Sequence, residues 1–224
     1  QAERVIAPSQ AVSSRMQKHF PDITFQLMAH PPRHEWISHV GSGPSPVKVL
    51  IPGGLSGFKG LHRVVEAAKW AQKNEVAVFF TIVGYTSDAV PVWPALPLTI
   101  TGEYPDAQLP HLLDLQRADV VWIPGQVPET WSYTLDAALM TGLPILAQES
   151  SGAVSERLLQ SQVAHQLYPS NANSAEILDA LLVLAHPKPK IVSGEQLQFQ
   201  LSRRDSYLRV WLGWIEHSSV NVVW

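Results

Sequence analysis

The sequence contains no cysteine in its 224 residues, which excludes disulfides, cysteine-ligated metals and thiol catalysis. Charged residues are scarce at 16% of the chain, against about 25% in an average soluble domain. We therefore expect another domain to cover part of the surface. The net charge of −3 shows no polybasic character, so nucleic-acid binding has little support.

Long apolar runs are also missing. No run reaches the roughly 18 residues of a membrane-spanning helix, and no secretory signal opens the chain. The chain starts at Gln1, close to a strand-like pattern. We interpret it as part of a longer polypeptide.

What the sequence does contain is an alternation of short apolar segments and amphipathic segments. Strand-like runs include "VKVLIPGG", "VAVFFTIVG", "LTITG" and "DVVWIP", and the last three read as strands buried on both faces. Helical patterns include Leu61–Gln72, Ala153–Leu159 and Ser174–Ala185. The alternation predicts a single α/β domain over residues 1–224, a doubly wound parallel sheet with helices on both faces.

The two ends of the chain carry further predicted elements. Arg4–Pro8 and Ile23–Met28 read as strands on either side of a helix over Ser9–Phe20, capped by Ser9. Pro31–Pro46 reads as a linker or surface loop, and Tyr207–His217 as a last helix. Ligands of parallel sheets bind beyond the carboxyl ends of the strands. This rule predicts that a ligand would bind at the loops over residues 52–60, 84–88, 102–104 and 124–132.

The segment "GGLSGFKG", Gly53–Gly60, follows a strand and opens a helix. Glycines let a backbone approach a phosphate, and Lys59 could supply the opposite charge. The segment is neither a Walker A loop nor GxGxxG. A flexible turn with a surface lysine explains it equally well.

A second segment, "PETWSYTLDAALMTGLPI", predicts a helix with one buried face formed by Leu135, Ala138 and Leu139. A hydroxyl of Thr130 or Ser132 is placed to cap its start. Glu129 then lies at the amino end of the helix, where anions are favoured. Either the carboxylate is that anion, or an anionic ligand docks there and Glu129 does another job.

Three other patterns are weaker. His30, His34, His39 and Glu35 could ligate a metal, but no helix aligns them, so solvated loop histidines are the better interpretation. Tyr207, Trp211 and Trp214 form an aromatic stripe, which we interpret as packing and not as a membrane interface. His111 and Asp114 share a predicted helix face, but no nucleophile stands beside them.

Five segments, taken in order, resemble one family, the group 1 glycosyltransferases. These are retaining enzymes with two domains in the GT-B arrangement. "VIAPSQAVSSRMQKHFPDITFQLMAHPP" resembles the opening of their C-terminal domain, and "GGLSGFKG" their "G-x-L-x-x-x-KG" donor-phosphate turn. "FTIVGYTSD" and "LTITGEYPDAQLPHLL" resemble the next two blocks, and "PETWSYTLDAALMTGLPILAQESSGAVSERL" the family's Pro-Glu block. Together they run from Val5 to about Pro169.

The resemblance implies a Rossmann-like C-terminal half that binds a nucleotide-diphosphate sugar, without a metal or other cofactor. It gives catalytic roles to Glu129, facing the donor sugar's hydroxyls, and to Lys59, beside the leaving phosphates. The donor-binding positions it implies are Gly53, Gly54, Gly84, Tyr85, Glu103, Tyr104, Thr130, Trp131, Ser132 and Asp136. An N-terminal domain would bring the acceptor site. The implied location is the cytoplasm or the inner face of the membrane.

This sequence departs from the family at two positions. The family's second glutamate, which binds the ribose, falls on Ala137, with Asp136 one residue earlier. One residue along a helix turns a side chain by about 100°, so Asp136 is not an automatic replacement. The family's phosphate-binding arginine falls on Gly54. Both changes weaken the nucleotide end of the site.

Three hypotheses follow. The first is the donor-binding half of a retaining glycosyltransferase in surface polysaccharide or glycoconjugate synthesis. The second is a degenerate glycosyltransferase-like domain that binds a ligand or a protein without catalysis. The third, a dinucleotide-dependent oxidoreductase, is disfavoured by the absence of GxGxxG and of an acid at the ribose-binding spacing.

Overall fold

A computed structural model describes residues 5–31, 46–87 and 96–186. Most of the Pro31–Pro46 segment and the predicted helix Tyr207–His217 therefore lie outside the described residues. The strands are β1 Val5–Ala7, β2 Phe25–Leu27, β3 Val47–Pro52, β4 Val78–Val83, β5 Leu98–Ile100, β6 Val120–Ile123, β7 Ile145–Gln148 and β8 His165–Tyr168. The helices are α1 Gln10–Gln17, α2 Leu61–Lys73, α3 Leu109–Leu115, α4 Tyr133–Met140, α5 Ala153–Leu159 and α6 Ser174–Ala185.

Six of these strands form one parallel sheet in the order β5-β4-β3-β6-β7-β8. The chain runs outward from β3 to one edge and then returns through β6 to the other edge. Helices cover both faces, so the predicted doubly wound α/β fold is confirmed. The order reverses between β3 and β6, and ligand sites of such sheets lie at that point.

The two faces of the sheet carry separate cores. Val49, Ile51 and Trp122 belong to the core under α2 and α6. Leu50 and Val121, at alternating positions on the same strands, belong to the core under α3, α4 and α5. Alternation within a strand therefore feeds both cores, and each large side chain buried in this way contributes about 1.5–3 kcal/mol.

Local signals set where the helices begin. Asn173 and Glu176 form a capping box at the start of α6, with Glu176 N donating to Asn173 Oδ1 at 3.1 Å and Asn173 N to Glu176 Oε2 at 2.8 Å. Ser9 caps α1, accepting from Val12 N at 3.3 Å. These three bonds satisfy amide groups that a helix start leaves without an intrahelical acceptor.

One strand prediction needs correction. β5 is an edge strand whose residues are only partly buried, so "LTITG" is not buried on both faces. Within the described ranges, β1 and β2 form a separate two-stranded parallel sheet, with α1 between them in the chain. The apolar patterns predicted strands correctly but could not show which sheet each strand enters.

Candidate functional site

The turns after β3 and β4 extend side by side beyond the sheet. Gly53 N donates to Val83 O and Leu55 N to Tyr85 O, both at 2.8 Å. Gly84 has φ +150°, and a Cβ there would overlap the carbonyl of Gly53. The two turns touch backbone to backbone, and only glycine at position 84 permits that approach.

The glycine-rich loop after β3 also reaches the loop after β6. Gly60, with φ +87°, lies so close to Pro124 that a Cβ would overlap the Pro124 carbonyl. Gln126 N donates to Phe58 O at 3.4 Å. Between these contacts, Lys59 is exposed and Phe58 is 77% exposed. The lysine is thus presented from a loop whose ends are fixed.

The turn that carries Glu129 is held on both sides by the loop after β7. Glu129 N donates to Ser151 O, and Ala153 N donates to Glu129 O, each at 3.0 Å. The half-buried carboxylate folds back over Gly125, where a Cβ would lie 3.7 Å from Glu129 Oε1. This turn, residues 128–132, is called the donor turn below. Its backbone at Glu129 is fixed while the carboxylate lies beside the end of β6.

Ser132 ends the donor turn and caps α4. Its Oγ accepts from Leu135 N at 3.2 Å, while its backbone has φ 74° and ψ 95°. Positive φ is uncommon for any residue other than glycine. The prediction that Thr130 or Ser132 caps this helix is confirmed for Ser132.

Three side chains form a buried network behind the donor turn. Arg157, from α5, is ion-paired with Asp136 and donates from NH1 to Trp131 O at 2.9 Å and to Ser132 O at 3.2 Å. Its guanidinium carbon lies 3.7 Å from the centre of the Trp131 ring. Trp131 Nε1 donates to Asp136 Oδ2 at 3.1 Å. Both carboxylate oxygens of Asp136 are therefore engaged inside the domain. The donor-binding role expected for Asp136 stays a prediction.

The ring of Tyr85 lies over Gly54. A Cβ at Gly54 would be 2.8 Å from Tyr85 Cζ and 3.2 Å from its hydroxyl oxygen. Tyr85 remains 50% exposed. Tyr104 lies nearby, and burial, then the charges of Asp106 and Tyr85, raise its pKa above the ordinary value. Two phenol side chains, those of Tyr85 and Tyr104, therefore line the side of the site where β4 and β5 end.

The β1–α1–β2 unit adjoins the donor turn. Ser9 Oγ donates to Thr130 O at 3.2 Å. Glu156, on α5, accepts from Gln10 N at 3.0 Å and Ala11 N at 2.6 Å at the start of α1. His30 follows β2, and its ring lies 5.3 Å from that of Trp131. The small unit is thus fastened to the elements that hold Glu129.

The structure brings together most of the residues expected at the site. The turns with Gly53, Gly54, Gly84 and Tyr85 adjoin one another, and Thr134 in the first turn of α4 lies close to Gly53. Glu103, exposed, and Tyr104 follow β5 on the same edge. Ala137 is 3% exposed and belongs to the core, so the place of the family's second glutamate is closed by packing.

Sequence reasoning missed several contributors: Ser9, His30, Ser151, Glu156 and Arg157. The last two lie in the quoted "SERL" segment, where a charged pair stands in a mostly apolar helix. That pattern is a usable signal. Contacts across 121 residues, such as that between Ser9 and Thr130, leave no local trace in the sequence.

Within the described ranges, no three His, Asp or Glu side chains come together in a way that would hold a metal ion. The same ranges include no helix with the length and apolar character needed to cross a membrane.

Comparison with known proteins identifies the fold. No protein-family model matches the sequence, and no curated protein matches it significantly. Among solved structures, the GtfA/B complex aligns over 94% of this chain and 44% of its own, with a TM-score of 0.63 and 13% identity. HepE of Anabaena, in complex with UDP and glucose, aligns over 97% and 64%, with a TM-score of 0.66 and 16% identity. The lipopolysaccharide outer core galactosyltransferase WaaB aligns over 98% and 63%, with a TM-score of 0.67 and 14% identity.

The chain therefore has the fold found in GT-B glycosyltransferases, as the sequence segments predicted. It spans less than two thirds of the length of these proteins.

Proposed function

We propose that this chain is the donor-binding half of a retaining glycosyltransferase that takes a nucleotide-diphosphate sugar. One observation carries the proposal. The donor turn and the amino end of α4 meet the glycine-containing turns after β3 and β4, at the point where the strand order of the sheet reverses. HepE, which has this fold, is described in complex with UDP and with UDP-glucose. We place the protein's work in the cytoplasm or at the inner membrane face, in surface polysaccharide or glycoconjugate synthesis.

The proposed roles follow from charge. The diphosphate lies at the amino end of α4, where amide groups and the helix dipole favour an anion. Lys59 adds positive charge as the leaving phosphate develops negative charge. Glu129, an acceptor-only carboxylate, takes hydrogen bonds from the sugar hydroxyls. Tyr85 and Tyr104 lie on the nucleoside side.

The second domain of the proposed enzyme has its own support. Parallel sheets are normally covered on both faces, yet Ile6 in β1 and Leu27 in β2 are 46% and 50% exposed, and α1 has no buried residue. We propose that an N-terminal domain extends the β1–β2 sheet and closes the cleft over the donor turn with the acceptor site.

The test separates the sugar end of the ligand from its phosphate end. Calorimetry of this chain with UDP and UDP-glucose, then with other nucleotides, measures donor binding. Glu129→Gln should weaken UDP-glucose binding about tenfold and leave UDP binding unchanged, because a hydrogen bond to a charged group contributes about 1.5–3 kcal/mol. Lys59→Ala should lower the affinity of the chain for both ligands.

Lys73→Ala and Glu75→Gln are matched controls. Both residues are exposed near the end of α2, at the amino ends of the strands and away from the site. If no nucleotide or nucleotide sugar binds the wild-type chain, the proposal is wrong. If Glu129→Gln weakens UDP as much as UDP-glucose, the sugar-binding role of Glu129 is wrong.

A second function, ligand or protein binding without catalysis, is favoured by three features of the nucleotide side. Ala137 is buried, Gly54 is covered by the Tyr85 ring, and Asp136 is engaged with Arg157. This alternative predicts binding without transfer. A transfer assay on the chain joined to its N-terminal domain, with product stereochemistry read by NMR, distinguishes the two functions.

A further inference from the structure

The sequence assigned no role in the site to Arg157. In the structure it contacts the donor turn through two backbone carbonyls and the Trp131 ring. Its side chain is 10% exposed and lies between α5 and the donor turn. We propose that Arg157 is a positioning residue that orients the peptide groups of Trp131 and Ser132 so that the donor turn accepts a diphosphate. This inference rests on the proposed function.

The orientation follows from peptide geometry. Arg157 NH1 draws the carbonyl oxygens of Trp131 and Ser132 toward α5, at 2.9 and 3.2 Å. In a trans peptide the following N–H points to the opposite side from the carbonyl. The N–H groups of Ser132 and Tyr133 therefore point away from the guanidinium. Arg157 thus sets the direction of two amide dipoles at the start of α4.

Holding this direction requires support, because Ser132 has φ 74°. Conformations of this kind persist only when surrounding contacts fix them. Arg157 supplies such contacts on both sides of Ser132, through the carbonyl of residue 131 and that of residue 132. The cap bond from Leu135 N to Ser132 Oγ supplies a third.

Arginine meets these demands through its planar fork. It pairs with Asp136, donates to two carbonyls and stacks at 3.7 Å on the Trp131 ring at once. Lysine keeps the charge but has neither the fork nor the planar face. Arg157→Lys is therefore the informative substitution, because it preserves the partner charge for Asp136 and removes the geometry.

The experiment compares UDP with uridine, since of these two ligands only UDP carries the diphosphate that contacts the donor turn in the proposed pose. Arg157→Lys should weaken UDP binding about tenfold, the loss of roughly one hydrogen bond to a charged group, and leave uridine binding unchanged. Arg117→Lys is the matched control, because Arg117 is exposed just before β6, at the amino ends of the strands and away from the site. The control should bind both ligands as wild type does.

Two results overturn the inference while the proposed function stands: unchanged UDP affinity in Arg157→Lys, or equal weakening of UDP and uridine. Equal weakening would mean a general structural role. A wild-type chain that binds no nucleotide and no nucleotide sugar would instead overturn the proposed function, and this inference with it.

A second variant covers the case in which Arg157→Lys does not fold. The double variant Asp136→Asn with Arg157→Met removes both buried charges together, so no unpaired charge remains. The asparagine Oδ1 still accepts from Trp131 Nε1. We expect the folded double variant to lose UDP affinity and keep uridine affinity. Full retention of UDP affinity would overturn the inference.

Discussion

Ser132 must meet two demands that favour different residue types. Its hydroxyl caps α4 by accepting from Leu135 N at 3.2 Å, and glycine cannot supply that bond. Its φ of 74° suits glycine and opposes any side chain. Ser9, which caps α1, has φ −152° and meets only the first demand.

The contrast gives a prediction about alanine and glycine at the two caps. At Ser132 the alanine variant should be less stable than the glycine variant by about 2 kcal/mol or more, because both lose the hydroxyl, alanine is the poorer N-cap residue, and alanine alone keeps the conformational strain. At Ser9, where φ is −152°, only the N-cap preference for glycine remains, and the two variants should differ by about 1 kcal/mol. Urea unfolding of the four variants measures this. Equal differences at both positions would contradict the strained conformation at Ser132.

At the scale of elements, α4 shows where sequence patterns succeed and fail. The predicted buried face of Leu135, Ala138 and Leu139 is buried. The helix is, however, buried almost all round, including Asp136 at 8% exposure. A carboxylate in a helical pattern is usually assigned to solvent. Here Arg157, 21 residues later, neutralises it, and no local pattern reveals such a pair.

Elements whose signals lie close together in the sequence were predictable. The capping box of α6 and the apolar periodicity of α2 lie within one turn or a few turns of the chain, so the sequence shows them directly. The position of β5 at an edge and the separation of β1 and β2 depend on which strands pair. Pairing is decided by contacts far apart in sequence.

The contact between the glycine-rich loop and the β6 loop gives a second prediction. Gly60→Ala should lower the free energy of unfolding by about 2 kcal/mol or more, since it adds a positive-φ penalty and a clash with the Pro124 backbone. Gly57→Ala, in the same loop, meets nothing within 4 Å and should change stability by less than about 1 kcal/mol. Thermal and urea unfolding measure both.

If Gly60→Ala proves as stable as Gly57→Ala, the two loops do not touch in solution. The presentation of Lys59 between fixed loop ends would then be wrong as well.

At the scale of the whole molecule, the chain offers one wall of a cleft. The donor turn, Lys59 and the two phenols lie beyond the carboxyl ends of the strands of the main sheet. The second sheet consists of two strands in the described residues. That Lys59, Tyr85 and Glu129 lie in loops after strands could be predicted, because each follows an apolar run typical of a strand. The buried network behind the donor turn could not, because it joins α4 to α5.

A prediction for the isolated chain follows. It should bind a donor without transferring sugar in multiple turnovers, because orienting both substrates in a closed cleft contributes roughly 7–11 kcal/mol at best. A radiolabelled UDP-glucose assay against an acceptor panel, with this chain and with the chain joined to its N-terminal domain, measures the difference. Multiple-turnover transfer by the isolated chain would contradict the need for a second domain.

The ring of Tyr85 over Gly54 has a consequence for evolution. A β-carbon at position 54 would lie 2.8 Å from Tyr85 Cζ, so a side chain there requires the half-exposed ring of Tyr85 to move aside. A lineage that gains a larger residue at 54 must first move or replace the aromatic ring at 85. Homologues that carry a long side chain at the first position should therefore carry a small residue at the second. The ancestral order of the two substitutions can be read from their phylogeny.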